Sequence, residues 1–471
     1  MDLLIALAAI AGLAWGLAFL LRGSLVLGLL VFLLVNSCFG FYFLSFSVGP
    51  IPVTLDRLVL LAVLTAYLIQ RWMRRTTAAP LGAGDWLLGA LIAILTVSTL
   101  THEYHLQTAD DISPVWRLVA GYLSPALVYW IARQARLDDA GTRLMYGALT
   151  FFGLYLAVTG LLEVAGQWNL VFPRHIADPE LGLHFGRARG PMVHSVAYGM
   201  YLSACALAAC LWLPTWGRGG TLVMVLLLPL WFAAAYFSYT RSVWLGLSLG
   251  LTIPLILTAG PRLRPLLIGG LAFGALAVGI AKWDKIVGIE REHAAANSRE
   301  SAVLRASFAY VSWNMFIDHP LWGVGFGQYS RAKDPYLQDR SIELELEAIR
   351  DLIHHNLPLS LLTETGLLGL GLYGAMLAAW TIHAWRLWAN RAGPAWVRSQ
   401  GLFALGMIGI YLPNAVFHEL SYMNLVHTLF FFAMGLAAGA QGETASVAAA
   451  GSVAAEPHPF EQVTPQLPSP T

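Results

Sequence analysis

Two adjacent histidines, His354 and His355, open one of the apolar runs of this chain, followed by Asn356, Leu357 and Pro358. Asn356 has the short acceptor side chain that caps a helix, and Pro358 suits a first turn, where its missing N–H would be unpaired anyway. A helix starting there sets its positive end beside His355, which disfavours imidazolium and keeps the ring neutral near pH 7. A neutral imidazole is a competent general base; the plainer alternative is a histidine that anchors a helix at a membrane surface. Glu364 follows about two turns into the same helix, where a carboxylate must face protein or a wet cavity. Three groups of arginines accompany these residues. Arg241 follows Ser238, Tyr239 and Thr240 at the mouth of an apolar run, Arg187 and Arg189 precede a Gly190-Pro191 turn, and Arg305 stands ahead of Asp318. Arginine's planar fork matches phosphate bidentately, and for each arginine the alternative is a solvated or interfacial anchor. Gly323, Gly325 and Gly327 look like a nucleotide loop, but a helix rather than a strand precedes them, so they read as a tight turn.

The elements that must position these groups are membrane helices. Of 471 residues, 57% are hydrophobic and 12% charged, about half the charge of a soluble domain. That excludes a soluble multidomain enzyme and a disordered chain. A net charge of +1 offers no footprint for nucleic acid. Cys38, Cys205 and Cys210 all lie in apolar runs and read as buried hydrophobes. No disulfide framework or metal cluster is indicated, and no third ligand stands near the histidine pair.

A bilayer core about 30 Å thick needs about 20 apolar residues per helix. Spans are expected at 3–21, 24–46, 57–70, 85–100, 115–133, 143–166, 194–213, 220–238, 241–259, 264–281, 357–385, 400–417 and 421–440. The third is short, and the join at His418-Glu419-Leu420 reads as a possible re-entrant turn, giving 12 to 13 spans in an all-α polytopic protein. Arg71, Arg74, Arg75, Arg133, Arg136, Arg143, Arg262, Arg264, Arg386, Arg391 and Arg398 fall in loops on one side, taken as cytoplasmic. The other side receives the segment 101–114, the loop 167–193 and the long loop 282–356. In that long loop, residues 305–317 read as an amphipathic helix with Phe308, Val311, Trp313 and Met315 near one face, resting on the outer membrane boundary. Residues 1–440 thus form one membrane domain, and the Ala-, Pro- and Ser-rich tail 441–471 reads as disordered.

Taken together, these clusters resemble the O-antigen ligase and polymerase superfamily of bacterial envelope glycosyltransferases. The resemblance runs from about 180 to 435. It rests on Gly186–Gly190, on Tyr239 through Leu245, and on Arg305 followed by Asp318 through Gly325. His355-Asn356 with Glu364 through Gly369 behind it completes the set. It implies an enzyme of the bacterial plasma membrane that works without metal or cofactor and has its site on the extracytoplasmic face. Such enzymes take a glycan from an undecaprenyl diphosphate carrier and join it to an acceptor hydroxyl, on lipid A-core in ligases and on another carrier-linked glycan in polymerases. Carried over by position, His355 is the base, Arg241 and Arg305 bind the diphosphate, and Arg189 is a third cation. Arg187, His354, Asn356 and Glu364 support them. Membrane lipid is the remaining partner. A transporter or lipid flippase is the alternative from another class. It would place its charged groups near the bilayer midplane of two repeated halves, whereas here they gather at one boundary. The chain reads as ligase-like, with a polymerase of the same superfamily as the alternative that these residues do not separate from it.

Overall fold

The computed structural model describes Gly16 and residues 22–43, 45–48, 51–76, 80–104, 112–270 and 295–454. Helix α1 (Leu25–Cys38) leads to a two-stranded antiparallel hairpin, β1 (Ser45–Val48) and β2 (Ile51–Thr54). Next come α2 (Leu55–Trp72), α3 (Ala83–Thr101), α4 (Pro114–Gln134) and α5 (Asp139–Val164). The chain continues with α6 (Ser195–Trp212), α7 (Gly217–Tyr236), α8 (Arg241–Thr258) and α9 (Ala295–Asp318). It closes with α10 (Leu357–Ala389), α11 (Ala395–Phe417) and α12 (Asn424–Ala454). Among the described residues, seven helical stretches are long and apolar enough to cross a membrane, one of them, Ser195–Tyr236, combining α6 and α7. The protein is an all-α polytopic membrane protein.

Several boundaries differ from those read off the sequence. The run 24–46 ends as a helix at Cys38, where Asn36 and Ser37 give way to a turn and then to β1. The α2 helix carries Asp56, Arg57 and Arg71 and is not among the seven. Helix α12 continues past 440 to Ala454, in keeping with the high helix propensity of its alanines. The expected span 3–21 (apart from Gly16), most of 264–281 and the end of the tail lie outside the described residues.

Helix α11 is largely buried and packs on α6, α8, α10 and α12. Small residues set the crossing of α8 and α11. Gly246 and Gly250, four apart on α8, face Ile410 and Gly406 of α11, and a Cβ at Gly250 would come 2.4 Å from Ile410 Cγ1. Small residues at this spacing let two membrane helices approach backbone to backbone. The contact fixes the start of α8 against the end of α11, so that Ser242 Oγ and His418 Nε2 lie 2.9 Å apart.

Helix α10 is broken. Gly366 has φ 63° and ψ −161°, outside helical geometry and in a region only glycine enters without strain. A break inside an apolar bundle frees backbone groups that must find partners. The segment after α9 supplies them. Val324 and Gly325 donate N–H groups to the carbonyls of Thr363 and Glu364 at 3.0 Å, and Leu367 N–H reaches Pro320 O at 2.8 Å. Gly323, Gly325 and Gly327 all have positive φ. They form a tight turn, as expected, and that turn is plugged into the kink of α10.

Helix α9 spans the expected 305–317 and begins earlier. Its apolar face differs from the expected one. Phe308, Val311 and Met315 are buried against Tyr329, Leu337, Leu346 and Ile349 of the same loop, while Trp313 is 54% exposed. At about 100° per residue, Trp313 lies about 140° round the helix from Phe308, so it cannot share that face. The buried stripe builds a small core within the loop. The opposite stripe, with Trp313 and Ile317, is the one left outward.

Candidate active site

The chain brings its functional groups to one end of the bundle, where α3, α5, α7 and α11 finish and α4, α6, α8, α10 and α12 begin. The expected cap is present: Asn356 Oδ1 accepts from Leu359 N–H at 2.8 Å, with Pro358 in the first turn. The cap holds the two histidines in different settings. His354 is buried, its ring centroid 3.6 Å from that of Tyr329, and neither ring nitrogen has a hydrogen-bond partner among the described residues. His355 remains accessible, with the Phe308 ring edge-on at 5.6 Å. Partial burial of the ring, then the Arg305 charge, push its pKa below the usual histidine range, opposed by Glu419. His355 is therefore neutral at pH 7.

Arg305 is exposed, with its guanidinium 5.6 Å from the Phe417 ring. That places it at the α11–α12 join, beside His418 and Glu419. Arg241 is the first residue of α8 and also exposed, next to the Ser242 that bonds His418. His418 is the meeting point: burial, followed by His194, His355, Arg305 and His184, lowers its pKa to about 3. His355 and Arg305 thus act on His418 from α10 and α9, and Arg241 stands one residue from the Ser242 that bonds it.

Arg189 has a different setting. Its guanidinium is buried and donates to the backbone carbonyls of Leu181, Ile176 and Asp178, while its own N–H and that of Gly190 donate to Glu163. These bonds fold the 174–190 loop over the end of α5, a loop-holding geometry rather than an open phosphate ligand. Arg187 is half-buried and lies near His184.

Glu364 is buried in a cluster that the sequence reading missed. Arg117, in the first turns of α4, donates from Nη1 to Glu364 Oε2 at 2.6 Å, from Nη2 to Ser360 Oγ at 2.8 Å and from Nε to Ser421 Oγ at 2.9 Å. Glu419 Oε1 lies 3.4 Å from Nη2. The rings of Phe326 and Tyr422 are both 4.6 Å from the guanidinium carbon. One cation therefore ties α4 to α10, to the α11–α12 join and to the plugged turn. The signal was legible as a lone arginine inside an apolar run. Glu419 Oε2 is buried with no hydrogen-bond partner among the described residues.

Three further histidines were also missed. His184 Nδ1 lies 2.9 Å from Ser195 Oγ, and the His184 and His194 rings are 5.4 Å apart. Burial, with Arg187 and Arg189 adding to it, lowers His184 to about 4; burial and then His184 lower His194 to about 4. With His418 they form a neutral wall between the arginine loop and α8. Their sequence signal was proximity, since His184 and His194 flank Arg187 and Arg189.

An all-α bundle with histidines and arginines gathered at one end is that of a polytopic membrane protein with a polar cluster at one boundary. Residues 222–374 match the family model described as O-antigen ligase, a stretch holding Arg241, Arg305, His355 and Glu364. Over those residues the chain is similar to that family, which supports the O-antigen ligase and polymerase superfamily and, with it, a ligase- or polymerase-type glycosyltransferase. No curated protein matches the chain.

Proposed function

We propose that the protein transfers a glycan from an undecaprenyl diphosphate carrier to an acceptor hydroxyl, with His355 as the general base. The observation that carries this reading is an accessible, neutral His355 gathered with Arg305 at the α11–α12 join, with Arg241 one residue from the Ser242 that bonds His418 there. The acceptor oxygen attacks the anomeric carbon while its proton passes to the His355 ring. The bond from that carbon to the diphosphate oxygen breaks, and the carrier diphosphate leaves with its charge held by Arg241 and Arg305. Two guanidiniums can neutralise such a leaving group without metal. Arg189 then shapes the loop beside the site instead of holding phosphate. A mostly apolar cleft of about 430 Å³ lies between α3 and the plugged turn, lined by Ala93, Val97, Trp322 and Thr365 among others. Its chemistry suits the polyprenyl tail.

The basic loops all lie at the opposite end of the bundle from His355. By the positive-inside rule this supports a bacterial plasma-membrane protein whose site faces outward. The same clustering disfavours a transporter, whose charged groups would sit at the midplane.

Deleting the gene and separating the envelope glycans on a gel tests the reading and divides its two forms. Loss of long chains from lipid A-core, with carrier-linked polymer still made, identifies a ligase. Single repeat units on the core identify a polymerase. An unchanged glycan pattern overturns the proposal.

A further inference from the structure

A second polar groove lies on the loop layer, away from His355. It has a volume of about 500 Å³ and sits between α9 and the short turn Asp334–Gln338. Two tyrosine–aspartate pairs cross it in opposite senses. Tyr310 of α9 donates its hydroxyl to Asp339 Oδ2 at 2.5 Å, and Tyr336 of the turn donates to Asp318 Oδ2, at the end of α9, at 2.6 Å. The pairs hold both walls and both rings in place before anything binds, which reduces the ordering cost of binding. Between them, Asn314 and Gln338 also line the groove, and neither amide has a hydrogen-bond partner among the described residues. Asp318 likewise keeps Oδ1 unpaired among them.

The lining selects its ligand. Fixed aromatic rings offer flat apolar faces with polar edges. Amides and carboxylates supply paired acceptors and donors. The volume lies in the range of small-molecule sites. No Lys or Arg lines the groove, while Asp318 and Asp339 do, so an anion such as phosphate or a uronic acid is repelled. A polyhydroxylated ligand without negative charge fits: apolar C–H faces on the rings, hydroxyls on the amides and carboxylates.

We propose that this groove binds uncharged or amino-sugar units of the glycan substrate, remote from the transfer centre. Asn314 is about 13–14 Å along α9 from Arg305, from the helix rise of 1.5 Å per residue, and nearly on the opposite face. The groove therefore grips sugars distant from the bond being made and guides the chain over the loop. The identity of the ligand as substrate rests on the glycosyltransferase reading.

The test uses the full chain in lipid nanodiscs, with the host's own repeat-unit oligosaccharide, freed from its carrier by mild acid, as the probe. Binding is measured for wild type, His355→Ala, Asn314→Ala/Gln338→Ala and Asp318→Asn. The expected result is unchanged affinity for His355→Ala and a loss on the order of tenfold for the amide double variant, from two ordinary hydrogen bonds. Asp318→Asn should also weaken binding and provides an independent result should the double variant fail to fold. Equal affinity in all four proteins overturns the proposal, as does a wild type that takes up Ca²⁺ but no oligosaccharide. A wild-type protein that transfers no glycan in the same membranes would sink the transferase reading while leaving the binding result to decide the groove.

Discussion

Arg117 gives the sharpest structural prediction, because its four partners and their burial are all defined. Its guanidinium lies among Glu364, Glu419, Ser360 and Ser421, and both carboxylate residues are buried at 1% and 3% exposure. Arg117→Ala removes the cation and leaves two buried acids facing each other. Breaking a buried pair by deleting one partner costs about 3–5 kcal/mol. Arg117→Lys keeps the charge but replaces the fork by a point donor. It forfeits at least one of the bonds to serine or glutamate, about 1.5–3 kcal/mol for a hydrogen bond involving a charged group. A third variant tests the cause. In Arg117→Met/Glu364→Leu one acid is removed with the cation, so it should be more stable than Arg117→Ala despite carrying two changes. The assay is the thermal midpoint of purified protein in detergent by fluorescence-detected size exclusion, with membrane yield recorded alongside. The expected order is wild type, then Lys, then the double variant, then Ala, with the Lys and double variants free to exchange. An Arg117→Ala protein that melts with wild type would refute the buried cluster as the tie between α4, α10 and the α11–α12 join.

Other predictions follow from the same geometry. Gly366→Ala meets both a positive φ and a Cβ 2.4 Å from the Leu321 carbonyl group, so membrane yield and transfer should both fall. Wild-type levels would show that the kink is not required. Arg241→Lys and Arg305→Lys should each lose on the order of 10- to 100-fold in transfer, and the Ala variants more. Arg391, at the opposite end of the bundle, should tolerate both changes in the same membrane assay at equal protein. The histidine wall predicts acid sensitivity. His194 and His418 have folded pKa values of about 4 and about 3 against an unfolded value of about 6.5. Depressed values mean that their neutral burial is fully tolerated above pH 6.5 and that stability is lost as pH falls from there toward 4. Hydrogen exchange in the 178–195 loop should rise over that window, and a flat profile would contradict it.

Much of the architecture was legible because membrane helices announce themselves by length and apolarity. The start of α10 was equally legible, since Asn356 and Pro358 act locally through the backbone. The break at Gly366 was not. Its sequence, Glu364 through Gly369, reads as continuous helix, and only the distant turn at Pro320–Gly325 makes the interruption affordable by pairing the freed backbone. The same distance hid the partner of Glu364: the sequence required a wet or polar neighbour, while Arg117 supplies it from 247 residues away. Arg189 shows the converse case. Its residue type suited phosphate, but three carbonyls of its own loop reach the guanidinium first. The misassigned Trp313 came from grouping aromatic residues without checking their angle round α9.

The most direct test of the central claim is glycan transfer by His355→Ala and His354→Ala in membranes matched for protein level. Loss of a general base alone costs about 10²- to 10⁴-fold. The account predicts that His355→Ala loses transfer on that scale with normal insertion. His354→Ala, which removes the buried ring packed against Tyr329, should lose stability and retain the chemistry of whatever protein folds. Full transfer by His355→Ala, with or without loss in His354→Ala, would contradict the assignment of the base.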